Sequence, residues 1–545
     1  MLDALRSTSD DIEQLVENLK KIKSEIYLFL IILLAISLRL LFFNGLRGHD
    51  DWVYLFYTKS LYYGITKEAF SSLWGMRLTV ILPALFLFKI FQPSYTLAFL
   101  PTFLFSLGSV ILAYLISLNI FKNKKVALLS AFFMSFYTLE VFVGTTIRSD
   151  VEVAFFSGLS IYFFIKSDLK NRKLNKKTIL YLILSGISAY LAYMSKETGI
   201  LILYFYFIFF CYDLFSRKKI QSRYLFILVG LLILFSLECI FYRTQTGNWL
   251  QRYEKGSMWY TKTYETGGYE NDPTTSYMFV PCFLFNIKNG YCLKLTGADN
   301  FTNSYFAKDS YHLSGFFFYT AFFFMLLLLL KKDKNSYIFI IWLISILLFI
   351  LFGSMSLKYY IPFHKEPRYF TIISLPSMIM LTRGFDFALN KRNKIIYYSA
   401  LLFIVFLFLS SILILYKAHD EYIKRNRHTD EIYEFFKDKP DANIFADTMI
   451  GQELDLKFNY KRYDYAHNFP GKAGYGFLID LNFFQCKKGL EGTYIVESGE
   501  VKIDFYKNLK ECIDGGRIKL NLIREFKDDI GEARIYYLTE QNIIS

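Results

Sequence analysis

Apolar residues in this sequence are gathered into uninterrupted runs, and the runs match the thickness of a bilayer. Residues 26 to 43 (IYLFLIILLAISLRLLFF) and 314 to 330 (SGFFFYTAFFFMLLLLL) are examples. Roughly 20 apolar residues in a helix cross the hydrocarbon core. Lipid offers the backbone no hydrogen-bond partner, so each run must satisfy its own amides as a helix. The sequence therefore predicts an α-helical polytopic membrane protein. Composition agrees, with 54% of the 545 residues hydrophobic and 20% charged, which is too apolar for a string of soluble domains.

The net charge of +14 does not point to a nucleic-acid partner. The basic residues sit in short clusters between the apolar runs, where they anchor the chain to lipid headgroups and orient it. The six cysteines include no CxxC pair, which argues against a zinc site or a redox dithiol. Cys282 and Cys292, ten positions apart, form a disulfide or remain two free thiols according to the compartment. The polar residues ahead of the first run make that run a signal anchor rather than a cleaved leader. Within them, Leu2, Leu5, Ile12, Leu15, Val16, Leu19 and Ile22 recur at helical spacing, which predicts a cytoplasmic amphipathic segment over 1–25.

Loop charge decides the number of spans. Lys20, Lys21 and Lys23 hold the N-terminus inside. If 77 to 91 (RLTVILPALFLFKIF) crossed the membrane, the later basic clusters would alternate sides. That segment is short, contains Pro83 and ends near Lys89, so it reads as a helix lying in the interface. The spans are then 26–43, 96–120, 126–145, 151–166, 178–194, 198–214, 224–242, 314–330, 336–353, 369–386 and 395–416, about eleven in all. Five basic loops fall inside under this count: those around Lys124, Lys173, Lys218, Lys332 and Arg392. After 416 the composition becomes that of a soluble protein. Apolar segments at 442–447, 493–497, 518–526 and 534–538, with a helix at 419–437, predict a small extracytoplasmic α/β domain over 417–545.

This topology places the conspicuous charged motifs on the non-cytoplasmic side. The first external loop opens on Gly48-His49-Asp50-Asp51-Trp52, and two adjacent acids at a membrane edge are costly unless solvated, metal-bound or working. Arg148-Ser149-Asp150, with Glu152, fills the minimal turn between two spans, either as a local ion pair or as functional groups held at the surface. Ser195-Lys196-Glu197 fills another such turn, where Lys196 either snorkels to headgroups or binds an anion. The densest motif is Lys358-Tyr-Tyr-Ile-Pro-Phe-His-Lys-Glu-Pro-Arg-Tyr-Phe, with His364, Lys365, Glu366, Arg368 and Tyr369. Arginine and lysine recognise phosphate through charge-assisted hydrogen bonds. A carboxylate able to accept a proton, together with cations able to hold a departing phosphate, suits displacement at the C1 of a lipid-phosphate sugar.

These motifs together resemble the GT-C superfamily of membrane glycosyltransferases, which use polyprenyl- or dolichyl-phosphate sugars. Asp50-Asp51 is similar to the family's acidic pair after the first helix, and 77–91 to its interfacial helices. Arg148-Ser149-Asp150 resembles the further acid that the family carries after its third span. His364-Lys365-Glu366-Pro367-Arg368-Tyr369 is similar to the His-Lys-Glu-x-Arg-Phe motif of dolichyl-phosphate-mannose-dependent mannosyltransferases, with Tyr369 in place of Phe. The layout also resembles the protein O-mannosyltransferase and aminoarabinose transferase branch, and the absence of Trp-Trp-Asp disfavours an oligosaccharyltransferase.

The resemblance implies a transmembrane catalytic domain over 26–416, with Asp50 as general base and Asp51 and Asp150 supporting it. It implies Lys196, His364, Lys365 and Arg368 around the donor phosphate, and Arg148, Glu197, Glu366 and Tyr369 in support. It makes no cofactor obligatory, although a divalent metal across Asp50, Asp51 and Asp150 is compatible with it. The implied partners are the lipid-linked donor, a protein, lipid or glycan acceptor, and membrane lipid. The alternatives are a transporter or flippase and an inactive scaffold. A transporter favours ionisable groups near mid-bilayer and broken, repeated helices, whereas the charges here gather at span ends.

Overall fold

A computed structural model of the chain describes residues 24–46, 49–167, 174–217, 221–265, 316–354, 360–363, 367–391, 393–446, 448–464, 477–480, 493–498, 507–515, 518–527 and 532–540. The amphipathic segment expected over 1–25, apart from its last two residues, and Cys282 and Cys292 lie outside them.

The helices follow in chain order: α1 (Ser24–Leu41), α2 (His49–Tyr62), α3 (Thr66–Ala69), α4 (Leu78–Phe91), α5 (Tyr95–Phe121), α6 (Lys124–Phe136), α7 (Thr138–Val143) and α8 (Ser149–Lys166). Then come α9 (Lys176–Ser195), α10 (Leu201–Arg217), α11 (Arg223–Thr246), α12 (Gln251–Glu265), α13 (Phe317–Leu330), α14 (Tyr337–Phe352), α15 (Ser374–Leu389) and α16 (Lys394–Phe436). Short 3-10 turns at Glu197–Ile200 and Pro367–Ile373 lead into α10 and α15.

Seven helices among the described residues are long and apolar enough to cross a membrane: Ser24–Leu41, Tyr95–Phe121, Lys176–Ser195, Glu197–Phe215, Arg223–Thr246, Arg368–Leu389 and Lys394–Phe436. The other four expected spans also form helices but fall short of that measure. The run at 126–145 breaks at Tyr137, whose backbone is extended, into α6 and α7. α8 carries Asp150, Glu152 and Lys166, and α13 and α14 have only 14 and 16 residues. Helices thus stand at all eleven expected positions, and seven of them meet that measure.

Exposed apolar side chains mark the lipid-facing surfaces. On α11 they include Leu225, Leu228, Leu232, Leu237 and Ile240, and on α16 Ile395, Leu402, Val405, Leu409 and Leu413. Patches of this size on several helices are not tolerated in water, so the chain is an integral membrane protein.

The chain divides into two compact units, residues 1–43 with 102–416 and residues 44–101 with 417–545. In the first, α9 and α11 cross at Gly186 and Gly230. A Cβ at Gly186 would sit 2.0 Å from the Ile227 carbonyl oxygen, and one at Gly230 would sit 2.2 Å from that of Ile183. Small residues are the usual means of bringing two membrane helices into backbone contact. Buried Ser160 on α8, Ser185 on α9 and Tyr206 on α10 exchange hydrogen bonds of 2.6 to 2.9 Å that tie those three helices together.

The second unit joins the loop after α1 to the polar end of the chain. Its helix at 419–437 is not separate, because it continues the last apolar run without a break as α16, 43 residues long. At 1.5 Å per residue that is roughly 65 Å. The sheet contains β1 (Asn443–Ala446), β2 (Tyr463–Asp464), β3 (Phe477–Asp480), β4 (Thr493–Ser498), β5 (Ile518–Lys527) and β6 (Glu532–Glu540), in the order β2-β3-β1-β4-β6-β5. β1 is parallel to β3 and β4, and β6 runs antiparallel to β4 and β5.

Strand alternation explains why both faces of this sheet are covered. Ile444 points into a core with Ile432 and Phe436 of α16 and Ile450 and Leu454 of α17 (Thr448–Lys457). Its neighbour Phe445 points into the opposite core, with Leu509 and Cys512 of α18 (Lys507–Asp514). Cys512 is disulfide-bonded. The small α/β domain expected after 416 is present, and the sequence reading missed β2, β3, α17 and α18.

Candidate active site

In the first unit, three predicted site residues meet. α8 starts at Ser149, which puts Asp150 in its first turn, where the positive end of the helix dipole favours a carboxylate. Lys196 follows the last residue of α9 with an extended backbone, φ −164° and ψ 154°. The ammonium of Lys196 donates to Asp150 Oδ1 over 2.9 Å, and both side chains are about 95% buried, with exposures of 5% and 4%. Arg368, on the 3-10 turn that packs against α8, brings its Nε within 4.0 Å of Asp150 Oδ2. Arg148, buried just ahead of α8, adds its charge to the field at Asp150.

Tyr369 completes the arrangement. The Lys196 ammonium stands 4.1 Å from the centroid of its ring, and the Arg368 guanidinium lies 5.6 Å from the same centroid. A cation over a tyrosine face is held by the ring quadrupole, so the aromatic that departs from the family motif supports both cations. Such a group of cations around one carboxylate is suited to taking a phosphate through charge-assisted hydrogen bonds.

A second buried network secures the turn that carries Lys196. Arg252 of α12 donates to Glu197 Oε1 (3.1 Å), to Glu238 Oε1 of α11 (3.3 Å), and to the carbonyl oxygens of Tyr193 and Met194 at the end of α9. Tyr190 donates to the other oxygen of Glu238. Burial disfavours the charged guanidinium, but Glu197 and Glu238 outweigh it and raise the Arg252 pKa above its ordinary value.

Sequence reasoning does not reach this residue, because it lies past the span predicted to end at 242. The signal was Glu238, an acid within an apolar run, which needs a partner. Arg252→Leu is expected to destabilise the protein by about 3–5 kcal/mol, because it strands the buried Glu238 and the part-buried Glu197. An SDS unfolding titration of the purified protein checks this, with the exposed Lys437–Glu434 pair as the control whose removal leaves the curve in place.

The acidic pair lies in the second unit, in the first turn of α2, where the sequence predicts a loop. Asp51 is fully buried, whereas Asp50 is half-buried and accepts a 3.3 Å hydrogen bond from Trp74 Nε1. Arg77 lies over the rings of Trp74 and Tyr54 and donates to the Tyr54 hydroxyl. The two neighbours thus differ in access, Asp51 facing inward and Asp50 retaining contact with its surroundings. The expected interfacial segment is α4, with Pro83 inside it.

His364, Lys365 and Glu366 lie outside the described residues. Among the described residues no three His, Cys, Asp or Glu side chains come close enough together to hold a metal ion.

Residues 51–250 match the model of the dolichyl-phosphate-mannose-protein mannosyltransferase family. The fold is shared with the ArnT protein of Cupriavidus metallidurans solved with bound undecaprenyl phosphate, at a TM-score of 0.54 and 10% identity over 93% of this chain and 97% of that one. It is also shared with the apo oligosaccharyltransferase of Archaeoglobus fulgidus, at a TM-score of 0.51 and 13% identity over 96% of this chain and 75% of that one. No curated protein matches the sequence. At these identities the likeness is one of fold.

Proposed function

We propose that this chain, an integral membrane protein with the GT-C glycosyltransferase fold, transfers a sugar from a polyprenyl-phosphate-linked donor to an acceptor hydroxyl on the non-cytoplasmic face. The observation that carries the reading is the meeting of Lys196, Arg368 and Asp150 beside Tyr369. Two findings support a lipid donor: the mannosyltransferase family match over 51–250 and the bound undecaprenyl phosphate of the Cupriavidus relative. The disulfide at Cys512 suits a C-terminal domain in an oxidising, extracytoplasmic compartment.

In this reading the acceptor oxygen attacks C1 from the face opposite the phosphate. The C1–O bond to phosphate breaks as the new glycosidic bond forms, and the anomeric configuration inverts. Asp50 takes the acceptor proton, the task for which a half-buried carboxylate is better placed than Asp51. Lys196 and Arg368, with His364 and Lys365 of the same motif, hold the phosphate as its charge grows, while Asp150 holds Lys196 in place. Polyprenyl phosphate is a good leaving group, so no metal is obligatory and no step is assigned to one.

The test uses the purified protein in proteoliposomes, a synthetic polyprenyl-phosphate hexose labelled in the sugar, and membranes lacking the chain as acceptor source. Release of polyprenyl phosphate with label passing to acceptor is expected. Label transferred from a nucleotide sugar but not from the lipid donor would overturn the reading, as would movement of intact donor across the bilayer without cleavage.

A further inference from the structure

The C-terminal domain has no motif of its own to explain its presence, yet one segment of it grips the helix that bears the acidic pair. Asp51, Leu55 and Lys59 are spaced four apart along α2 and are all buried, so they form one inward face. At the far end of that face the Lys59 ammonium pairs with Asp455 of α17, with only 4% and 8% of the two side chains exposed. Lys59 also stands 5.2 Å from the ring centroid of Tyr460. Tyr63, just past α2, donates a 2.9 Å hydrogen bond to the Tyr460 carbonyl, and Phe88 of α4 meets the Tyr460 ring edge-on at 6.0 Å. Asn459 and Tyr460 both adopt left-handed backbone, φ 56° and 54°. Two adjacent non-glycine residues persist in that region only where surrounding contacts over-determine them.

An ion pair buried this deeply is weak evidence for stability, because desolvation offsets most of the attraction. Its directional geometry is better suited to fixing one arrangement of α2. We propose that the segment 448–460 is the positioning element for α2, with Asp455 setting the orientation from which Asp50 works, so that the C-terminal domain belongs to the catalytic apparatus. This rests on Asp50 being the base. Asp455 touches neither donor nor acceptor and acts only through Lys59 and the helix.

The experiment measures donor KM and kcat for Asp455→Asn, Asp455→Glu, Asp50→Asn and the Asp50→Asn/Asp455→Asn double variant in proteoliposomes. Asp455→Asn is expected to lower kcat about 10- to 100-fold with donor KM unchanged within about twofold, and Asp455→Glu to restore kcat to within about threefold. On the Asp50→Asn background Asp455→Asn is expected to cost nothing further, because the group it orients is already gone. Should Asp455→Asn fail to fold, the Lys59→Gln/Asp455→Asn amide pair, which strands no charge, is read by the same criteria. Unchanged kcat in a folded variant overturns the inference, as does a loss confined to KM or one that multiplies fully with Asp50→Asn. If Asp50→Asn alone keeps full turnover, the base assignment fails; if Asp50→Asn is inactive and Asp455→Asn is not impaired, only the positioning role fails.

Discussion

Asp50→Asn lowers kcat about 100- to 10,000-fold while donor KM stays near the wild-type value; this is the largest effect expected anywhere in the chain. The amide keeps the size of the side chain and can still accept from Trp74 Nε1, so α2 retains its shape and loses only the proton acceptor. Asp51→Asn separates the two neighbours. Asp51 is wholly buried, and its replacement is expected to lower folded yield, with turnover per folded molecule far less affected than at Asp50. Turnover is measured as labelled sugar transferred per folded protein, quantified by fluorescence-detected size exclusion. Wild-type turnover by Asp50→Asn, or a greater loss in Asp51→Asn per folded molecule, would reverse the assignment.

Lys196→Gln is expected to lower kcat/KM about 100- to 1,000-fold, the usual cost of removing one group that stabilises charge in a water-poor site. That variant alone leaves Asp150 buried without its 2.9 Å partner, so part of the loss would be structural. The Lys196→Gln/Asp150→Asn double variant removes both members of the pair and puts two amides in their place, while Arg148 and Arg368 keep their charges beside them. If Lys196 serves the phosphate, the double variant regains stability but not turnover, and it binds free polyprenyl phosphate more weakly than wild type in a titration. Recovery of turnover along with stability would make the pair purely structural. Arg368→Lys is a milder probe, since lysine retains the charge but lacks the planar fork.

The helical part of the fold was legible because its cause is local. A run such as α13, FFYTAFFFMLLLLL, has no alternative in lipid, and no distant contact is needed to make it a helix. Boundaries were less legible. Nothing in the composition around 416 required a break, and α16 continues through it because residues 417–436 also favour helix. α2 was read as loop because His49-Asp50-Asp51 looks solvated, whereas buried Tyr54, Leu55 and Tyr57 make the segment part of a core. β2 and β3, two and four residues long, are too short for alternation to be recognised and owe their existence to the pairing of β3 with β1 and of β2 with β3.

The site divides in the same way. Asp150, Lys196 and Arg368 could be grouped from sequence because topology alone confines residues at short turns to one level of the membrane. Arg252 and Lys59 could not, since their partners Glu197, Glu238 and Asp455 are reached only through tertiary folding.

The pairing of Lys59 with Asp455 spans 396 positions, and that distance has a consequence in time. At about 5–20 residues per second a ribosome needs roughly 20–80 s to make the intervening chain. Throughout that interval α1 and the spans after α5 can insert and pack, while α2 waits for the segment that completes its surroundings. A nascent or truncated chain therefore holds its helices but not the finished setting of Asp50. If Asp50 is the base, competence waits on the segment around Asp455, made 396 positions after Lys59.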